Sequence, residues 1–347
     1  MTERKTERAK QLLVRYIRDR KIQSGEKLPS QNELRSTFKF GSATICSAIN
    51  ALKEDGVLEV RDKVGVFVLD PDAGGHAGRV IGITLSWTIN SLYYSSLLTH
   101  LQLHLMQNGC STRLFRRSSP PGDGNIFGEI DDYPGLRRSL KQQEIQGLIH
   151  LDDFTPQSLR FIKSQNIPLV FIGSPGGIAA NGVMLDHAGV VKAACLRLKK
   201  MGAGRSILIC QECIRPCVEK IFYENAPEKS KIFSGSATEM DSVFCREYLA
   251  MPETERPDWL ICLDDWLALT CLSELACGIA PEKMPGAVIM CNAAAGFRYP
   301  VRRLIFYNND LNEFSSRGVD LLMKAMKSGS TETGCEMYLP QEYKSTY

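Results

Sequence analysis

Reactive side chains come in few clusters along this 347-residue chain, and their spacing decides what each can do. Two pairs of adjacent carboxylates occur, Asp152-Asp153 and Asp264-Asp265. Neighbouring side chains on an extended strand diverge, so neither pair can share a proton across one substrate as a general acid and base must. "CQECIRPC" gathers Cys210, Cys213 and Cys217 without a fourth ligand nearby, which points to packing rather than a closed metal site. His100 and His104 sit four apart on one predicted helix face, and two imidazoles alone do not make a zinc site. No G-x-x-x-x-G-K-[ST], G-x-S-x-G, H-E-x-x-H or glycine-rich dinucleotide fingerprint is present, and "GSPGG" at 173–177 has the wrong spacing. Nucleotide-dependent and hydrolytic enzymes therefore find no support, and neither a metal nor a cofactor is implied.

The elements that would position other chemistry follow from composition and periodicity. With 44% hydrophobic and 23% charged residues the chain can bury a full core and holds two or three domains. No apolar run approaches a membrane span, and "MTERKTERAK" is too charged for a secretory leader, so a cytoplasmic location is expected. The cysteines lie in apolar stretches such as "AACLRL", where reduced thiols act as small hydrophobes. Residues 1–70 carry 14 Lys/Arg against 10 Asp/Glu, whereas the remainder is close to neutral. This front-loaded positive charge is compatible with a phosphate-contacting N-terminal domain.

Within that domain, Ala9, Leu12, Leu13, Tyr16 and Ile17 repeat at helical spacing over residues 3–20. Ser30 and Glu33 form an S-x-x-E capping box after Pro29, which predicts a second helix to about Thr37. Ser42 is placed to cap a third helix, with Ile45, Ala48, Ile49 and Leu52 as its buried stripe and Gly56 as its end. "VLEVR" and "VGVFV" then flank Asp62-Lys63 as a hairpin. Three helices, a tight turn and a hairpin are the plan of a winged helix-turn-helix.

Residues 71–78 lie in a Gly-rich polar stretch without periodicity and are read as a linker. From Arg79 to the end, strand-like and helix-like segments alternate in two successive runs. Such alternation predicts two α/β lobes of parallel strands flanked by helices, with ligands bound outside the carboxyl ends of the strands, between the lobes.

The first domain resembles the GntR family of bacterial transcription regulators. The resemblance covers residues 8–69 and rests on "LPS" at 28–30, Glu33, Leu34, Thr44, Ile45, Ala48, Leu52, "DG" at 55–56 followed by Val57 and Leu58, and Gly65, Phe67 and Val68. The remaining 79–347 resembles the two-lobed, periplasmic-binding-protein-like effector and dimerisation domain of LacI/GalR-type repressors. Its cues are "VIGITLS", "IQGLIHL", "IPLVFIG", "VMLDHAGVVKAACLRLKKMGAGRSILI", "WLICLDDWLAL" and "GVDLLMKAMKSG". This arrangement is similar to that of arabinose-responsive repressors. It implies double-stranded operator DNA, a small sugar effector and a second copy of the chain as partners, and no membrane.

Departures from the family sharpen the site. Arginine is usual where this chain has Asn32, Ser42, Cys46 and Val64, and glycine where it has Lys63. Those arginines are the usual guanine readers, so Ser30, Gln31, Asn32, Ser42, Thr44 and Ser47 are left to touch bases or phosphates. Arg35, Lys39, Arg61 and Lys63 are the phosphate or minor-groove candidates. In the effector domain the resemblance places Arg215, Asp264, Asp265 and Asn292 in the cleft, where guanidinium, carboxylates and amide suit a polyhydroxylated ligand. Trp266 and Trp87 offer rings that could stack on a sugar or pack in the core, and Asp186 is read as a helix cap. Two other readings share the body fold: a transport binding protein, disfavoured by the helical head and charged N-terminus, and a regulator whose pocket has degenerated.

Overall fold

The computed structural model describes residues 2–62, 64–69, 79–85, 92–118, 127–151, 154–173, 181–235, 240–291, 298–331 and 334–343. The N-terminal head contains α1 (Thr2–Asp19), α2 (Gln31–Phe38), α3 (Ser42–Glu54), β1 (Leu58–Arg61) and β2 (Gly65–Val68). Ala9, Leu13, Val14 and Ile17 of α1 share one core with Ile45, Ala48, Ile49 and Leu52 of α3. Ser30 caps α2: its hydroxyl accepts from the Glu33 amide, and the Glu33 carboxylate accepts the Ser30 N–H at 2.7 Å. Lys39 closes the helix in the left-handed region, at φ 56, with its N–H on the Arg35 carbonyl. At α3 the expected cap shifts by one residue. Gly41 occupies the N-cap without a side-chain bond and Ser42 is the first helical residue, which leaves the Ser42 hydroxyl outside the capping role. Strands β1 and β2 pair antiparallel from Leu58↔Val68 to Arg61↔Gly65, forming the wing.

The first lobe of the body runs through β3 (Val80–Leu85), α4 (Leu92–Gln107), β4 (Ser111–Arg116), α5 (Leu136–Lys141), β5 (Gly147–His150), α6 (Pro156–Ser164), β6 (Leu169–Gly173) and β7 (Gly182–Leu185). The second follows with α7 (His187–Lys200), β8 (Ser206–Gln211), α8 (Arg215–Asn225), β9 (Lys231–Gly235), α9 (Met240–Ala250), β10 (Trp259–Cys262), α10 (Asp265–Gly278), β11 (Gly286–Cys291) and β12 (Leu304–Asn308). Then α11 (Leu311–Ser328) and β13 (Cys335–Tyr338) return to the first lobe, and β14 (Gln341–Tyr343) ends on the second. The chain therefore crosses between lobes three times, after Leu185, after Asn308 and after Tyr338.

Each lobe carries a six-stranded sheet, in the orders β13-β7-β6-β5-β3-β4 and β14-β12-β11-β10-β8-β9. All pairings are parallel except β12 with β14. Inner strands such as β5, β6 and β10 are buried on both faces, which is why they read as unbroken apolar runs. One core joins the lobes through Leu97, Leu101 and Leu105 of α4, Val190, Ala194 and Leu198 of α7, and Phe314, Val319 and Leu322 of α11. All twelve cysteines are free, and Cys110, Cys195, Cys210, Cys245, Cys262 and Cys271 are buried. Among the described residues no helix is long and apolar enough to cross a membrane.

Candidate nucleic-acid interface and interlobe site

In the head, the stripe of α3 opposite its buried residues is formed by Ala43, Ser47 and Asn50, all exposed. Ser42 is exposed at its start, whereas Thr44 is half-buried. The Cys46 thiol donates to the Gln31 side-chain oxygen at 3.3 Å, tying α2 to α3. Arg35 donates to Asn32 Oδ1 at 3.3 Å, so the two exposed side chains act as one unit on α2. Ser30 is engaged in the capping box, and Lys39 is exposed in the turn between the two helices. On the wing, the Arg61 guanidinium lies 4.4 Å from the Phe67 ring centroid and pairs with Glu59 at 2.8 Å. Its hydrogen bonds hold the Glu59 carboxyl below its usual range and raise Arg61. Lys63 lies outside the described residues. Asn50 is absent from the sequence-based set although it falls three residues beyond Ser47, so helical spacing alone was enough to find it.

The interlobe site follows from sheet topology. Taking the first five strands of each lobe in chain order, both sheets run 2-1-3-4-5, and the order reverses between β3 and β5 in one lobe and between β8 and β10 in the other. Arg215 follows β8, and Asp264, Asp265 and Trp266 follow β10, so these four flank the second lobe's reversal point. Asp264 is the N-cap of α10 and accepts the Leu267 amide at 2.9 Å. Asp265 is 3% exposed, and its Oδ1 accepts the Trp266 amide at 3.0 Å. Trp266 is 62% exposed, so its ring is not core. Arg215 donates to Glu219 at 2.8 Å and to Ser234 at 3.1 Å. Trp87 and Asn292 lie outside the described residues, and Asp186 caps α7 by accepting the Gly189 amide at 2.7 Å.

Tyr93, in the first turn of α4, carries the link to the opposite lobe. It packs against the core that joins the lobes, and burial first, then the charges of Asp264 and Asp265 in the second lobe, push its hydroxyl far above its usual range. Its buried Oη has no hydrogen-bond partner among the described residues. Beside the acids, Cys291 is pushed up to about 12 by burial and by Asp265 and Asp264, and Tyr299 is raised by burial, Cys291 and Asp265. Tyr299 donates to the Asp265 carbonyl at 3.4 Å. Two crossings add buried polar atoms without partners: Nδ1 of His187, and Nδ2 and Oδ1 of Asn309. The described site thus combines neutral hydroxyl and thiol groups with carboxylate acceptors. These thiols and phenols stay protonated, so none is an activated nucleophile. The described residues contain no group of three or more metal-binding side chains. Tyr93, Tyr299, His187 and Asn309 escaped sequence reasoning because only folding brings them beside Asp264 or into the crossings.

Residues 5–68 match the family described as Bacterial regulatory proteins, gntR family. The head is therefore a winged helix of that regulatory family, which is one of DNA-binding regulators rather than enzymes. The body shares its fold with solved LacI-type regulators. A dimeric Lac repressor with an 11-residue C-terminal deletion aligns with TM-score 0.61 at 14% identity, covering 76% of this chain and 97% of that one. A LacI transcriptional regulator from Lactobacillus brevis gives 0.60 at 14%, covering 77% and 100%. A LacI family transcriptional regulator from Arthrobacter sp. FB24, in complex with lactose, gives 0.59 at 15%, covering 77% and 97%.

Proposed function

We propose that the chain is a homodimeric transcription repressor whose operator affinity is set by a small carbohydrate bound between the lobes. The reading rests above all on the position of Asp264, Asp265 and the exposed Trp266 after β10, at the reversal of strand order in the second lobe, with Tyr93 of the first lobe packed on the core that joins the two. Sugar hydroxyls donate to carboxylates and accept from a phenol, and a ligand touching both walls favours the closed arrangement. The exposed Trp266 ring beside the acids is available to cover an apolar sugar face. Closure changes the relation between the paired heads, and so the affinity for a two-fold related operator. The similar arrangement in arabinose-responsive repressors makes a pentose the first ligand to test. A carbohydrate panel in thermal unfolding supplies the test: one sugar should raise the midpoint of the intact chain and lose that effect in Asp265→Asn. A panel with no shift would sink the effector reading and favour a degenerate pocket.

A further inference from the structure

A cavity of about 450 Å³ lies between the head and the first lobe, at the end of the sheet away from the carboxyl ends of the strands. One wall is α1, where Arg8, Leu12 and Arg15 stand four and three residues apart on one face. The opposite wall is the start of β3 and the turns leading into β5 and β6, with Ile145 and Ile167 as a buried apolar floor. Gln146 is fixed there by bonds with Val80, whose N–H it receives at 2.8 Å.

We propose that this junction is a small-molecule site for an organic anion bearing a carboxylate or phosphate, which fastens the head to the first lobe. The charge distribution selects the sign. Arg15 is paired with Asp19 at 3.4 Å, and the one carboxylate on the lobe wall, Glu144, is held by Arg113 and by Ser139. No carboxylate among the described residues pairs with Arg8, which leaves a guanidinium at the cavity free to form charge-assisted bonds. The size fits as well, since the volume falls within the range of small-molecule pockets and far exceeds that of a water. The apolar floor opposite the cation suits a ligand with a carbon skeleton better than a bare inorganic ion. Because such a ligand touches both walls, it binds only the docked head and shifts the chain toward that arrangement by mass action. The binding itself is independent of the carbohydrate reading; its consequence for operator affinity rests on it.

Calorimetric titration of the full-length chain with citrate and with glycerol 3-phosphate, at constant ionic strength, tests the site. At least one of the two should give saturable heat at one equivalent per chain. Arg8→Ala, at an exposed helical position, should weaken that binding at least tenfold, and Arg8→Lys should restore part of it. Leu12→Trp, which fills the cavity from α1, should abolish it, whereas Asp265→Asn in the cleft should leave it unchanged. The proposal is overturned if neither anion gives saturable heat, if Arg8→Ala binds as the parent does, or if the cleft variant removes the binding.

Discussion

Ser47 and Asn50 present short hydrogen-bonding groups on the exposed stripe of α3, where a long cation would give a bidentate guanine contact. Asparagine pairs bidentately with adenine, so the preferred operator should hold an A·T pair opposite Asn50. Asn50→Ala should reduce discrimination at that position by about 1–3 kcal/mol, read as a ratio of affinities for matched and mismatched duplexes. Arg61 acts through charge on the wing, and Arg61→Ala should weaken all duplexes alike and lower the salt slope by about 1. His187 makes a separate prediction. Burial lowers its pKa from 6.5 to about 4, so between those values the unfolded chain binds the proton and the folded chain does not. Stability from this group is complete above pH 6.5 and is lost as pH falls toward 4. Urea midpoints across that window should drop, and His187→Gln should flatten the drop.

Local signals explain which elements were legible. The Ser30-Glu33 box and the stripe of Ile45, Ala48, Ile49 and Leu52 fixed α2 and α3 within a residue, because capping and burial there act over one or two turns. Ser30→Ala should cost about 1 kcal/mol of head stability in chemical unfolding. The Glu33 carboxyl is held low by its bonds to Ser30, so this contribution is present at neutral pH and fades as acidification protonates it. Ser42 misled as a cap because Gly41 in the preceding turn reaches the N-cap geometry first. Strands β7, β9, β12, β13 and β14 escaped notice for a different reason. Among them β9 and β13 are partly exposed strands at the edges of their sheets, whose pairing, not pattern, defines them. At β7, Gly182 has φ +146 and an added Cβ would strike the Phe171 backbone. Gly182→Ala should therefore lower the thermal midpoint of the first lobe markedly.

At the scale of the molecule, alternating strands and helices disclosed two lobes, but not the three crossings that make them a hinged pair. A crossing is set by where α7, α11 and β14 pack, which depends on distant contacts such as α11 against α4. The same limit governed the cleft: Asp264 and Asp265 stood out by their position after an apolar strand, whereas Tyr93 joined them only through folding. On the proposed function, the head reads DNA and the body controls that reading. Selection of bound sequences from a random duplex pool by the full-length chain, followed by salt titration on the selected duplex, tests it most directly. A two-fold symmetric site should be bound at least about a thousandfold more tightly than random duplex. No enriched sequence, with affinity that only collapses as salt rises, would contradict it.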